Sequence, residues 1–171
     1  MRGSFNTRYC RFMLIVLRGN SGSGKSTIAT YLQSELDGPA AVLSQDYFRR
    51  VIYKEREQDS LAHADLLEAA TAHCLAAGQH VILDGIFNAN RYSPMLARVG
   101  SMTNDARFYA FDLSLDDTVH RHQARSKAVD FTAKDMAAWY HGWQPLSFVR
   151  ERRIGPSETV SAIVNRVLED R

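Results

Sequence analysis

Short apolar runs recur along the chain and predict the strands of a sheet. The first run, residues 13–17, is continuous, contains β-branched side chains and ends at Arg18-Gly19. A run without polar alternation is typical of a strand that is buried on both faces of a parallel sheet. Further runs predict strands at residues 40–43, 80–83, 107–113 and 150–154.

Between these runs, apolar residues recur at the spacing of helices. The segment 26–36 shows this most clearly, because Ile28, Leu32 and Leu36 follow one another at intervals of four residues. The same reasoning predicts a last helix that Ser157 caps and that runs to residue 168. Strands that alternate with helices predict an α/β fold with a mainly parallel sheet of about five strands. The other predicted helices are at residues 61–77, 93–99, 116–125 and 132–141.

The composition fits one globular domain. The chain has 171 residues, of which 45% are hydrophobic and 23% charged, and this balance excludes a disordered or collagen-like chain. The longest apolar run, residues 12–17, is too short to span a membrane. We therefore expect an N-terminal tail at residues 1–12 and a single domain at residues 13–171.

Neither the N-terminus nor the cysteines indicate export. The first eleven residues contain three arginines but no long apolar stretch, so they predict no signal peptide. The two cysteines, Cys10 and Cys74, are fewer than a disulfide scaffold uses. The sequence thus predicts a cytoplasmic protein with reduced thiols and no membrane partner.

A glycine-rich loop follows the first strand. Residues 19–26 match the pattern G-x-x-x-x-G-K-[ST] at every position, and a predicted helix begins within them. Glycines let backbone N–H groups turn inward toward phosphate oxygens, and the helix N-terminus adds partial positive charge. We expect Lys25 to reach the β- and γ-phosphates of ATP or another nucleoside triphosphate, and Ser26 to bind Mg²⁺. The predicted nucleotide-binding residues are Gly19, Asn20, Ser21, Gly22, Ser23, Gly24, Lys25, Ser26 and Thr27.

Two acids follow predicted strands, where ligands gather at the carboxyl ends of a parallel sheet. Asp46 could accept the proton of an attacking hydroxyl, and Arg49, three residues on, could hold the acceptor. The alternative is that Asp46 only caps a helix. Asp84 could hold Mg²⁺ through water or contact the acceptor, or it could be a turn residue at the end of its strand. Asn88 and Arg91 follow, either as lining of the acceptor pocket or as surface loop residues.

A basic segment between two predicted helices is a candidate lid over the phosphates, at about residues 121–132. Arg121 and Arg125 are four residues apart and share a helix face, and Lys127 follows them. Guanidinium groups over the triphosphate would stabilise charge in a phosphoryl transition state, so either arginine is a catalytic candidate. The alternative is a solvated basic face.

The remaining sequence favours a kinase among the proteins that bind nucleoside triphosphates. We find no N/T-K-x-D motif of the kind that GTPase switches carry, and the length fits a compact P-loop kinase. The net charge is only +2, which favours a small acceptor over a long polyanion. A polynucleotide 5′-hydroxyl kinase, and a nucleotide-binding switch or accessory ATPase without an acceptor, are the two alternatives.

Together these motifs resemble a known group of enzymes over about residues 13–140. The phosphate loop, the stretch 45–49, Asp84 with Asn88 and Arg91, and the segment from 111 into the lid are similar to the kinase domain of polynucleotide 5′-kinases. They are also similar to the small P-loop kinases that include chloramphenicol phosphotransferase and gluconate-kinase-like enzymes. The resemblance implies a three-layer α/β/α P-loop NTPase fold, similar to that of nucleoside-monophosphate kinases, with a helical lid.

The resemblance also implies roles for individual residues. The residue matching Asp46 is the general base, that matching Arg49 contacts the acceptor's phosphate, and that matching Asp84 lies near the acceptor hydroxyl. A lid arginine, here Arg121 or Arg125, reaches the donor phosphates. Two departures favour a small acceptor, such as an antibiotic, a sugar or a nucleoside, over nucleic acid. Residue 45 is glutamine where polynucleotide kinases often have a basic residue, and no phosphatase or ligase segment is attached. A monomer and a homodimer are both compatible with the sequence.

Overall fold

The computed structural model describes residues 12–56, 60–123 and 132–170, with the backbone alone at 122–123. Its centre is a parallel five-stranded sheet in the order β2-β3-β1-β4-β5. The α/β class and the parallel sheet predicted from the sequence are thus confirmed. The strands are β1 (Leu14–Gly19), β2 (Ala40–Ser44), β3 (His80–Gly85), β4 (Ala106–Phe111) and β5 (Arg152–Ile154).

Helices cover both faces of this sheet. Alternate side chains of β1 point to opposite faces, so Leu14 and Val16 join one apolar cluster while Ile15 and Leu17 join the other. All four are fully buried, which explains why this strand is a continuous apolar run. Within the described ranges, no helix is long and apolar enough to cross a membrane. The helices are α1 (Lys25–Glu35), α2 (Gln45–Tyr47), a π-helix (Phe48–Ile52), α3 (Ala62–Ala76), α4 (Ala89–Gly100), α5 (Leu115–Gln123), α6 (Ala133–Trp139) and α7 (Val160–Glu169).

The strand register brings the chemistry-bearing segments to one edge of the sheet. Asp84 in β3 lies opposite Leu17 in β1 on one side and opposite Ser44, the last residue of β2, on the other. Gly19, where the phosphate loop begins, lies opposite Phe111 in β4. The parallel strands therefore deliver the phosphate loop, the acid and the segment after β2 to the same carboxyl edge.

The helix predicted at 93–99 begins earlier, at Ala89. Its N-cap is Asn88, whose side chain accepts a hydrogen bond from the backbone N–H of Asn90 at 2.9 Å. Pro94 lies inside the helix rather than at its first turn, where a proline is usually found. Packing of the buried Tyr92, Leu96 and Val99 outweighs the hydrogen bond that this proline removes.

The cap predicted for the last helix is also wrong by two residues. Thr159, not Ser157, caps α7, and its side chain accepts from the N–H of Ala162 at 3.2 Å. The polar residue between them, Glu158, instead accepts from the N–H of Gly155 at 2.8 Å and closes the turn before the helix. From the sequence alone, Ser157 and Thr159 are equally suitable N-caps. The turn that Glu158 closes determines that Thr159 caps the helix.

A buried ion pair ties β1 to the segment before β5. The Arg18 and Glu151 side chains are 6% and 1% exposed, and one Arg18 nitrogen reaches both carboxylate oxygens at 2.9 and 2.8 Å. Glu151 also accepts from the N–H of Leu146 at 2.9 Å, and Arg18 donates to the carbonyl of Gln144. These contacts satisfy two charges that would otherwise be costly to bury.

Glu151→Ala should lower the free energy of unfolding by about 3–5 kcal/mol, because Arg18 would remain buried without its carboxylate. Urea denaturation measures the change. Glu68→Ala is the matched control, since Glu68 pairs with Arg98 at the surface and such pairs contribute about 0–1 kcal/mol. Equal losses in the two variants would contradict this account of the ion pair.

Candidate nucleotide and acceptor site

The phosphate loop curls tightly around its own lysine. Gly22 and Gly24 have φ angles of 77° and 103°, in the left-handed region that favours glycine. Lys25 is 7% exposed, and its Nζ donates to the carbonyl of Asn20 at 2.9 Å and to Oγ of Ser23 at 3.2 Å. The ammonium group therefore lies within the curve of the loop, where phosphate oxygens would be bound.

Residues from α5 and α6 pack against the outer side of this loop. A Cβ at Gly22 would lie 2.7 Å from the terminal methyl group of Met136 and equally close to the carbonyl oxygen of Thr118. The backbone N–H of His141 donates to Oδ1 of Asn20 at 3.1 Å. The loop is thus held between the end of β1 and the helices on either side of the predicted lid.

Ser26 and Asp84 meet at the start of α1. The Ser26 hydroxyl donates to Oδ2 of Asp84 at 2.6 Å, and Asp84 is 4% exposed. A hydroxyl and a carboxylate are hard oxygen donors of the kind that Mg²⁺ prefers, usually with several waters retained. The prediction that Ser26 binds the metal directly, and Asp84 through water, stays a prediction.

Asp46 lies in α2, two residues beyond the end of β2, and its side chain is half exposed. The NH2 group of Arg49, which is almost fully buried, contacts Oδ1 of Asp46 at 3.0 Å. Nε of Arg50 contacts the same oxygen at 2.7 Å. The predicted Asp46–Arg49 pair is therefore in contact, and Arg50 is a member of the group that the sequence reasoning missed.

Arg50 also brings α6 to this group. Its guanidinium carbon lies 5.7 Å from the centre of the Trp139 ring, within the range of a cation–π contact. Trp139 is the last residue of α6 and is 38% exposed. Met136 of the same helix contacts the phosphate loop. Thus α6 borders the loop at one point and, at another, the acid–arginine group, which consists of Asp46, Arg49 and Arg50.

The structure describes only part of the predicted lid. Arg121 donates from NH1 to the carbonyl of Ser23 at 2.9 Å and from NH2 to the carbonyl of Pro156 at 2.8 Å. Its guanidinium group therefore lies beside the phosphate loop. Arg125, Lys127 and most of the predicted lid at 121–132 lie outside the described residues.

Asn88 and Arg91 follow β3 at the same edge of the sheet. Asn88 caps α4 through its side-chain oxygen, and Arg91 donates to the carbonyl of Ser60 at 3.2 Å. The first contact is internal to the start of α4, and the second ties α4 to the segment before α3. A role of either residue in binding the acceptor stays a prediction.

A cavity of about 430 Å³ lies between the phosphate loop and α7. Thr27, Glu158 and Thr159 contribute polar groups to its wall, while Phe111 and Val160 contribute apolar surface. Its size and mixed lining suit a nucleoside. The sequence did not predict this cavity, because its residues come from separate segments that only the fold brings together. The remaining wall residues are Ser23, Gly24, Ile28, His120, Arg121 and Ile163.

A protein-family model matches more than half of the chain. A family model described as an AAA domain matches residues 14–142. The chain belongs to this AAA domain family. The match spans the phosphate loop, the acid–arginine group and the whole of α6.

Solved structures with the same fold include kinases. The APS kinase CysC of Mycobacterium tuberculosis, solved in complex with AMPPNP and APS, superposes with a TM-score of 0.73 and is 18% identical, over 93% of this chain and 96% of that chain. A gluconokinase from Sinorhizobium meliloti superposes with a TM-score of 0.63 and is 18% identical, over 94% and 91% of the two chains. These likenesses confirm the predicted P-loop NTPase fold.

A third solved structure with a similar fold belongs to an RNA repair complex. A chain of the Pnkp1/Rnl/Hen1 RNA repair complex superposes with a TM-score of 0.54 and is 25% identical, over 74% of this chain and 41% of that chain. Among curated proteins, the search found no match.

Gly22→Ala should weaken nucleotide binding by at least about tenfold, because the added methyl group overlaps Met136 and Thr118 and forces the loop out of its curve. Titration with a fluorescent ATP analogue measures the change. Gly38→Ala is the control, because Gly38 also has a positive φ, 111°, but the nearest atom to its Cβ is 3.9 Å away. Unchanged nucleotide affinity in Gly22→Ala would show that the loop tolerates the shift.

Proposed function

We propose that this protein is a kinase that transfers the γ-phosphoryl group of ATP, or of another nucleoside triphosphate, to a hydroxyl group of a small molecule. The observation that carries the proposal is the Ser26–Asp84 contact at the end of a complete phosphate loop. Through the register of β2 and β3, it lies beside the segment that holds Asp46 with its arginines. The residues proposed for the donor site and for the proton acceptor thus share one edge of the sheet.

The donor is bound by the loop and by the cavity next to it. Backbone N–H groups of the loop and Lys25 hold the β- and γ-phosphates, and the N-terminus of α1 adds its partial positive charge. The nucleobase of the donor occupies the cavity between Thr27, Phe111 and α7. Arg121 lies between the two, and its guanidinium group stabilises negative charge on the phosphates.

Ser26 and Asp84 are the residues that would hold Mg²⁺, the serine directly and the aspartate through water. When bound, the metal neutralises charge on the β- and γ-phosphate oxygens. The direct Ser26–Asp84 hydrogen bond supports this assignment, because it places both oxygen donors at the start of α1.

Asp46 is the general base of the proposed reaction. Its carboxylate takes the proton of the acceptor hydroxyl as that oxygen forms a bond to the γ-phosphorus, and the bond from the γ-phosphorus to the bridging oxygen breaks to release the diphosphate. Arg49 and Arg50 orient the carboxylate through their contacts with Oδ1. Trp139 lies beside Arg50 and offers an apolar surface against which a ring of the acceptor packs.

A polynucleotide 5′-hydroxyl kinase is the second candidate, supported by the likeness to a chain of an RNA repair complex. It differs in its response to salt, because binding a strand through its phosphates releases counterions and weakens as salt rises. An acceptor screen with γ-labelled ATP should include oligonucleotides, nucleosides, sugars and antibiotics. Labelling of small molecules that is insensitive to salt supports the first candidate, and salt-sensitive labelling of strands supports the second.

Asp46→Asn should lower the rate of transfer by about 10²–10⁴-fold, because an amide cannot take the acceptor proton. Transfer of labelled phosphate to the acceptor found in the screen measures the change, and ATP affinity should stay within about twofold because Asp46 is not part of the donor site. Asp65→Asn is the control, since Asp65 is exposed on α3. Full transfer by Asp46→Asn would overturn its assignment as the base.

Lys25→Ala should abolish tight triphosphate binding, because the buried ammonium group within the loop is lost. Isothermal titration with ATP and with AMP separates the phosphate contribution from that of the base, and only ATP binding should fall strongly. Lys134→Ala on the exposed side of α6 is the control and should bind both nucleotides normally. A Lys25→Ala variant that binds ATP as tightly as the parent protein would contradict the assignment of the donor site.

A further inference from the structure

Beneath the segment that carries Asp46, four buried or partly buried side chains form one chain of hydrogen bonds, here called the Tyr92 network. Its members are Gln45, Tyr92, His63 and Glu55. Nε2 of Gln45 lies 2.9 Å from the Tyr92 hydroxyl, which lies 2.9 Å from Nε2 of His63. Nδ1 of His63 lies 2.6 Å from Oε2 of Glu55. Gln45, His63 and Tyr92 are fully buried.

The ends of the network fix the direction of its outer hydrogen bonds. An ionised Glu55 can only accept, so Nδ1–H of His63 donates to it. At the other end, the Gln45 amide donates to the Tyr92 hydroxyl, which also contacts Nε2 of His63. The Gln45 oxygen in turn accepts from the backbone N–H of Ile86 at 3.4 Å.

The surroundings of Glu55 agree with a carboxylate at this end. Hydrogen bonds donated by the Ser60 hydroxyl and by His63 lower the pKa of the Glu55 carboxyl below its usual range. With Glu55 ionised, Nδ1–H of His63 has a carboxylate acceptor, as a buried donor requires.

An acid, a histidine and a hydroxyl in this order also occur in nucleophilic enzymes, but here the hydroxyl is inaccessible. Tyr92 is fully buried, and its oxygen is already the acceptor of the Gln45 amide. No substrate atom can reach it, so the network cannot act through a nucleophile. Its effect must be exerted on the segments that it joins.

The network holds both ends of the acceptor segment, defined as residues 45–55. At one end, Gln45 immediately precedes Asp46 and packs against Gly85, where a Cβ would lie 2.7 Å from that of Gln45. Gly85 in turn follows Asp84. At the other end, the backbone N–H of Glu55 donates to the carbonyl of Arg49 at 2.9 Å.

We propose that Tyr92 and His63 are positioning residues for the reaction, because the Tyr92 network fixes the acceptor segment against β3. The inference rests on the proposed function, in which Asp46 is the base. Loss of one bond in the network leaves buried donors and acceptors unsatisfied, and the segment relaxes away from Gly85. A displacement of about 1 Å at a reacting group can reduce a rate by about 10²-fold.

Tyr92→Phe tests the proposal, because it removes only the hydroxyl. Backbone hydrogen exchange over residues 45–55 should speed up by about tenfold or more. Hydrolysis of Mg-ATP, in which water takes the place of the acceptor hydroxyl, should slow by about tenfold or more. The affinity for a fluorescent ATP analogue should stay within about twofold, since the network does not contact the donor site.

Tyr109→Phe is the matched control for a purely structural effect. Tyr109 is also fully buried, and its hydroxyl donates to Asp170 at 2.6 Å in the other apolar cluster. This variant should lose comparable thermal stability but leave exchange over residues 45–55 and ATP hydrolysis unchanged. If Tyr109→Phe slows hydrolysis as much as Tyr92→Phe does, the positioning role is overturned.

A second pair of variants, at the partly buried Glu55, provides the test if Tyr92→Phe does not fold. Glu55→Ala should reproduce the faster exchange and slower hydrolysis, whereas Glu55→Gln should restore both to within about threefold, because its amide oxygen still accepts from His63. Unchanged exchange over 45–55 in Glu55→Ala would overturn the proposal. Asp46→Asn distinguishes failure of the proposed function from failure of the positioning role. If Asp46→Asn hydrolyses ATP normally while Tyr92→Phe speeds up exchange over residues 45–55, the assignment of Asp46 as the base is wrong. The role of the network in holding the segment then still stands.

Discussion

The central strand must be apolar on both faces and yet end at a loop that gathers charge, and the rest of the molecule follows from that constraint. Ile15 and Leu17 on one face and Leu14 and Val16 on the other leave the first four residues of β1 no contact with solvent. Polar groups can therefore collect only beyond its end. Neighbouring parallel strands end at the same edge, so the acid of β3 and the segment after β2 are delivered there too.

The one charged residue within this strand shows how strictly the constraint applies. Arg18 lies between the apolar run and the loop, and it is buried with Glu151 as its partner. The pair also connects the central strand to the segment that leads into β5, which lies at the edge of the sheet. This buried charged position thus joins two distant parts of the chain.

Much of the fold could be predicted because its signals are local. A continuous apolar run, a glycine-rich loop with Lys25 and alternating amphipathic segments each depend on neighbours in sequence. The start of α4 could not be predicted, since packing of Tyr92 overrides the usual reading of Pro94. Nor could the choice of Thr159 over Ser157 as a cap, which depends on how the preceding turn closes.

The same distinction, between contacts that are local in sequence and contacts that are distant, applies to the candidate site. Asp46 and Arg49 could be placed together because they are three residues apart on one helical turn, and the structure has them in contact. The approach of Trp139 to Arg50 joins residues that are 89 positions apart, and no periodicity predicts it. The cavity beside the loop is likewise built from residues that span most of the chain.

The contact of α6 with both the phosphate loop and Arg50 has a thermodynamic consequence. Met136 lies against Gly22, and Trp139, one turn further on, lies against the arginine that holds Asp46. If α6 has two arrangements that differ in these contacts, binding at the loop and binding beside Asp46 each change the affinity of the other site. Linkage requires the two effects to be equal in free energy. The short helix would then couple the phosphate loop to the Asp46–arginine contacts, and the sign of the coupling would depend on which arrangement each ligand prefers.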